Sequence, residues 1–288
     1  MIKINLHSMY PNMRSFTDGQ IPRFIEWVKD GGIFDMYVDA KVYEEVKPLS
    51  CAMLIEPRSI QPDVYKYIEQ NHDKFRVIFT HDSKTIQLPN ARQIYFGGVY
   101  PSRSETAKTK NISMCSSNKT MCDLHKQRLE VIKELEKYEG VDTFGTYNGG
   151  KFATVDEYLG PYRYSVIMEN YIDDLWFTEK ICNCFANRTI PIYYGARDIT
   201  RFFIDKGIFR VDYIEDIYKT VKYLIEYGEY EYETRRKYVE GNRRLVMKYY
   251  QCFEDAFYIK HKILLETLDI NYTAQRLSRQ AEKWTKKG

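Results

Sequence analysis

The chain has 288 residues, 44% hydrophobic and 29% charged, with 43 lysines and arginines against 40 aspartates and glutamates. That is enough apolar material for two domains of ordinary size, and a net charge of +3 is too small to demand a nucleic-acid or other acidic partner. No window approaches the roughly 20 apolar residues of a membrane span, and Met1-Ile-Lys-Ile-Asn-Leu6 lacks a signal peptide's apolar core, so a cytoplasmic protein is expected.

The first hundred residues alternate short apolar runs with helical segments: Ile2–Leu6, Ile21–Lys29, Phe34–Val38, Cys51–Ile55, Pro62–Gln70, Arg76–Thr80 and Ile94–Phe96. Alternation at this spacing predicts βαβ units and a mostly parallel sheet. The polar, aperiodic segment Pro101–Asn111 is the expected linker. A second unit then starts with a strand at Ile112–Ser116 and a helix from about Asp123 to Tyr138. Strands at Val141–Phe144, Tyr164–Met168, Ile190–Tyr194 and Ile208–Val211 alternate with helices at 178–187 and 214–227, the pattern of a doubly wound domain. The expected fold is α/β, two Rossmann-like domains facing across a cleft: residues 1–105, residues 106–265, and then 266–288 as a C-terminal helix and basic tail.

The six cysteines form no CxxC pair and read as reduced, mostly buried thiols. The sequons at Asn118, Asn187 and Asn271 carry no meaning in a chain that is not secreted. The 26 tyrosines and 15 phenylalanines fill cores and surfaces and are not evidence of a stacking site. The basic clusters Arg103–Lys119 and Arg276–Lys287 read first as a solvated linker and tail.

Chemistry concentrates in the second unit. In the helix from Asp123, Arg128 falls on the stripe Leu124, Val131, Ile132, Leu135. An inward guanidinium needs an anion, either a structural carboxylate or a diphosphate. The preceding run Cys115-Ser-Ser-Asn-Lys-Thr-Met, with Asn118 in it, is rich in small residues able to present N–H groups and favours the diphosphate. Glu169 and Asn170 end a strand opposite a helix start at Thr178-Glu179-Lys180. This polar cluster is placed to hydrogen-bond sugar or ribose hydroxyls while Lys180 neutralises phosphate.

These residues resemble glycosyltransferase family ten, whose best-known members are α1,3/4-fucosyltransferases. The resemblance is carried by Tyr162-Arg-Tyr-Ser-Val-Ile-Met-Glu-Asn170, Phe177-Thr-Glu-Lys-Ile181 and Thr189-Ile-Pro-Ile-Tyr-Tyr-Gly195, with Ser116-Ser-Asn118, Arg128 and Phe144-Gly145 upstream. It covers residues 110–215 well and the first hundred only faintly. It implies a GT-B fold, an inverting transfer, and a nucleotide-sugar donor, GDP-fucose in the well-known members, bound by the domain at 106–265 with the domain at 1–105 on the acceptor side. It also implies that Arg128 and Lys180 bind phosphate, that Glu179 contacts the donor, and that Glu169 and Asn170 form the family's Glu-Asn pair. Aromatic residues often precede the Thr-Glu-Lys motif in the family. Here the loop ends in Trp176, which with Thr178 is expected to contact the donor, and Asp174 stands where a tyrosine is common, which leaves a UDP-sugar open.

The base is expected from the first domain. Glu56, after the buried run Cys51–Ile55, fits a strand-end carboxylate and resembles the family's glutamate there; Asp82 is the alternative base, and His81 reads as a loop residue. No Asp-x-Asp motif stands at a strand end, and Arg128 and Lys180 supply positive charge, so no cofactor or metal is expected to be required. The acceptor is a glycan or, on a second reading, a hydroxylated DNA base held through the basic clusters. A non-catalytic binding module is a third reading, which intact candidate residues disfavour.

Overall fold

The computed structural model describes residues 1–10, 13–17, 19–47, 49–100 and 106–268. The expected linker core at 101–105 and the tail 269–288 lie outside the described residues. Among the described residues, eleven strands form two sheets. The first holds β1 (Ile2–His7), β2 (Ile25–Val28), β3 (Asp35–Val38), β4 (Cys51–Met53), β5 (Val77–Thr80) and β6 (Ala91–Gln93) in the order β2-β1-β3-β4-β5-β6. The second holds β7 (Lys110–Cys115), β8 (Val141–Phe144), β9 (Tyr162–Met168), β10 (Ile190–Tyr194) and β11 (Phe209–Arg210) in the order β11-β10-β9-β7-β8. Every pairing is parallel, for example Met36 with Cys51 and Ile192 with Val166. Strands covered on both faces read as unbroken apolar runs, and β4 and β5 are buried at every position.

The helices carry their own start signals. Pro62 opens α1 (Pro62–Asn71), where its missing N–H costs nothing. Asp123 begins α2 (Asp123–Leu135), and Thr154 caps α3 (Val155–Tyr158) in a reciprocal box with Glu157. Thr178 caps α4 (Glu179–Ala186) through its hydroxyl. The helix expected at 214–227 runs on as α5 (Ile214–Tyr249). It passes Gly228 because that glycine is packed against the Asn111 side chain, where a Cβ would collide, and its carbonyl accepts the Tyr164 hydroxyl.

The chain then crosses back at Tyr250–Cys252, and the last helix, α6 (253–268), joins the first domain. Its Phe253, Phe257, Leu265 and Leu268 lie in one core with Ile4, Met36 and Phe79. Residues 253–265, assigned by sequence to the second domain, thus pack on the first sheet, since their apolar face has its partner there. Buried Glu254 fixes the crossing by accepting from Ser15 Oγ, the Phe16 amide and the Trp27 indole. No helix among the described residues is long and apolar enough to cross a membrane.

The carboxyl ends of the two sheets meet. The Ser59 hydroxyl, after β4, donates to the Asn170 carbonyl, after β9, at 3.1 Å. The Ser83 amide, after β5, donates to Asp173 at 2.7 Å, and the His81 ring packs on Trp176 at 4.0 Å.

Candidate active site

Arg128 sits in the second turn of α2, on the stripe that also buries Val131, Ile132 and Leu135. It is 6% exposed. Its guanidinium donates to the hydroxyls of Ser116 at 3.1 Å and Ser117 at 3.3 Å, and among the described residues no carboxylate pairs with it. Burial lowers its pKa more than the nearby Glu169 raises it. A buried cation met only by neutral hydroxyls costs several kcal/mol, and an arriving anion removes that cost. The serines are held by Gly145, whose positive φ of 102° and contact with the Ser116 backbone exclude any side chain.

One turn earlier on the same stripe lies His125, where the sequence reading placed Leu124; Leu124 is only half-buried. The His125 Nδ1 atom is buried without a hydrogen-bond partner. Burial, then the charges of Arg128, Lys119 and Lys180, push its pKa down to about 4. Sequence reasoning passed over this residue; its i, i+3 spacing from Arg128 was the available signal. The α2 N-cap, Cys122, makes no side-chain cap bond, and its thiol faces the Asn170 carbonyl at 3.2 Å. The first N–H groups of α2 therefore have no side-chain acceptor at the cap.

Lys180 comes from the first turn of α4. Its ammonium donates to Thr178 Oγ1 at 2.9 Å and Glu169 at 3.3 Å and lies 3.4 Å from Glu179. Burial would lower its pKa, but Glu169 and Glu179 more than offset that and raise it. It stays charged. Glu169 differs from the expectation that it would bind sugar or ribose. It is fully buried, and its carboxylate is taken up by the Thr178 amide (3.0 Å), the Thr178 hydroxyl (2.9 Å) and Lys180. Glu169 therefore aims the Lys180 ammonium and locks the start of α4. Gly195 ends the Pro-Ile-Tyr-Tyr-Gly motif because a Cβ there would strike Glu169 and Tyr193.

Asn170 is half-buried and spends its carbonyl on Ser59 and Cys122 and its side-chain oxygen on the Trp176 indole at 3.2 Å. Trp176, expected to contact the donor, is 3% exposed between His81 and Phe96. Its ring joins the two domains and offers no open face. Thr178 is buried as the α4 cap, Glu179 is half-exposed beside Lys180, and Asn118 is exposed with its amide near Thr146.

On the facing edge the two candidate bases and the neighbouring His81 separate cleanly. Asp82 is 1% exposed and bound by Arg58 at 2.7 and 3.0 Å and by Thr85. Burial alone would raise its pKa, but these partners hold it below the ordinary value. His81 is fully buried against Trp176 and the Ile55 carbonyl, and burial pushes its pKa down to about 4. Glu56 is solvent-accessible. Desolvation in the cleft raises its pKa, Lys119 and Lys180 pull it down, and Glu179 pushes it up. Those three residues belong to the opposite domain, so Glu56 faces the cation pocket.

Two parallel α/β domains meeting at their strand ends, one edge carrying an open carboxylate and the other a buried cation pocket, define a GT-B glycosyltransferase architecture. A family model described as "Glycosyltransferase family 10 (fucosyltransferase) C-term" matches residues 105–276. The chain belongs to glycosyltransferase family 10, and the protein is a glycosyltransferase.

Among solved structures it is similar to "Crystal Structure of alpha1,3-Fucosyltransferase", at 14% identity and a TM-score of 0.57 over 93% of this chain and 90% of that one. The "alpha1,3-Fucosyltransferase with GDP" matches at 13% identity and 0.55 over 88% and 92%. An S. aureus TarM mutant with UDP matches at 11% and 0.54 over 80% and 55%. At such identities the likeness shows the fold. A search of curated protein sequences finds no match.

Proposed function

We propose that the protein transfers a fucose-like sugar from a nucleoside diphosphate donor to an acceptor hydroxyl, with inversion and without need of a metal ion. The observation that carries this is Arg128, a buried guanidinium with no carboxylate partner among the described residues, beside Lys180 and uncapped N–H groups. A diphosphate satisfies all of them. Glu56 takes the acceptor proton as the acceptor oxygen attacks the anomeric carbon from the opposite face. The bond from that carbon to the phosphate oxygen breaks, and its electron pair leaves on the diphosphate, stabilised by Arg128 and Lys180. Glu179 beside Lys180 is positioned for the donor's sugar hydroxyls. Fucosyltransferases solved with GDP and GDP-fucose support the choice of donor, and a glycan is the proposed acceptor.

The test is calorimetric titration with GDP, GDP-fucose, UDP and UDP-sugars, each with magnesium and with EDTA. Tight binding of GDP and GDP-fucose in EDTA is expected. Preference for UDP-sugars overturns the fucose assignment, and binding that vanishes in EDTA overturns metal independence.

A further inference from the structure

Asp39 follows β3 directly and has φ of +52°, the left-handed region that few residues other than Gly, Asn and Asp enter. Its carboxylate accepts the amide of Ile55 at 2.7 Å and that of Glu56 at 3.2 Å. On the other side of the same residue, at the Glu56–Pro57 peptide, the Tyr65 hydroxyl donates to the Glu56 carbonyl at 2.7 Å. The backbone of Glu56 is thus held at both its N–H and its C=O, while the side chain stays open to the cleft. Fixing the peptide while leaving the side chain accessible is what placing a base over a reacting hydroxyl requires.

The charge arrangement is equally particular. Tyr65 on α1 faces Asp39, and Lys41 on the turn after β3 pairs with Glu44. No ion pair forms at Asp39 among the described residues, and its charged neighbour is Glu56 itself. Beyond Glu56 stand Lys119, Lys180 and Glu179 of the second domain. Burial, opposed by the two amide donors and augmented by Glu56, raises the Asp39 pKa to about 7.

We propose that Asp39 is the positioning residue of the base: it fixes the Ile55–Glu56 peptide, and its carboxyl charge is coupled to that of Glu56, so the pair sets how readily the acceptor proton is taken. This rests on Glu56 as the base. Between its two ionisations the pair carries one negative charge, and above the upper one two. The second charge strengthens Glu56 as a base and opposes an anionic donor. The two ionisations belong to the pair.

Asp39→Ala and Asp39→Asn separate position from charge. Alanine removes the acceptor, and a displaced base is expected to lower kcat about 10- to 100-fold with donor KM unchanged. Asparagine keeps an acceptor oxygen and tolerates the positive φ, so it is expected to restore most of the lost turnover. It cannot titrate, so the inflection near pH 7 in the kcat/KM profile is expected to disappear. An Asp39→Asn profile that superimposes on wild type overturns the coupling, and an Asp39→Ala enzyme with wild-type kcat overturns the positioning. The cooperative urea-unfolding transition reports whether the alanine variant is folded, and if it is unfolded the asparagine profile still decides. Glu56→Gln tests the base separately: wild-type turnover there sinks the base reading, whereas loss of turnover with an unchanged Asp39→Asn profile sinks only this proposal.

Discussion

The two cleft edges share an architecture, parallel strands ending in loops, yet carry opposite charge. The first domain presents Asp39, Glu56 and Asp82, and the second presents Lys119, Arg128 and Lys180. Each edge also pairs a charge locked by partners with a charge that has no ion-pair partner among the described residues. Asp82 is held by Arg58 and Thr85 while Glu56 stands open; Lys180 is held by Glu169 while Arg128 meets only hydroxyls. Locked charges maintain the shape of each edge, and in the proposed reaction the open ones meet a ligand: a proton for Glu56, an anion for Arg128. The difference lies in the loop and helix-start residues, since the strands of both sheets pair in the same sense.

The largest expected effect tests the open acid. Glu56→Gln should lower kcat about 10³-fold, the scale of a general base, and leave the calorimetric donor affinity unchanged. Equal loss of affinity would erase the division of labour between the edges. Next comes the open cation. Arg128→Met should weaken GDP binding about 10- to 100-fold, the worth of charge-assisted hydrogen bonds. In the same variant the ligand-free melting temperature should hold or rise, because an uncompensated buried charge is gone. A lower melting temperature would mean that Arg128 is structural.

Glu169→Gln should act the other way. It breaks a buried pair and is expected to destabilise the protein by about 1–3 kcal/mol in urea unfolding, a figure reduced because Lys180 is partly accessible. Unchanged stability would show that Glu169 is not the lock.

The smallest effects are protonic. Because the pKa of Glu56 is raised and its charged form is the base, activity should fall as pH drops through a value above that of an ordinary glutamate. His125, neutral in the ligand-free site, should gain proton affinity beside a diphosphate. Calorimetry near pH 5.5 in two buffers of different ionisation enthalpy should then report proton uptake on GDP binding, reduced in His125→Gln. No difference between the buffers would remove His125 from the pocket.

Much of this was legible in the sequence. Periodicity gave the two parallel domains, and the placement of Arg128 on an apolar stripe already implied a buried cation in need of an anion. The roles of Glu169 and Trp176 were not legible. A strand-end carboxylate and a loop tryptophan look alike whether they face a ligand or a neighbouring element, and only the packing of α4 and of the first domain decides. The difference between open Glu56 and locked Asp82 likewise waited on Arg58 and Thr85, which chain folding brings to Asp82.

The sequence by itself determined which segments are strands, which helix starts carry polar residues, and which family the motifs resemble, because those properties are set by neighbours a few residues apart. Tertiary structure alone decided the return of residues 253–268 to the first sheet, the burial of Glu169, and the meeting of Asp39 with Glu56. Each depends on contacts between residues 11 to more than 200 positions apart, and a side chain's protonation and reach follow from the groups that such contacts bring beside it.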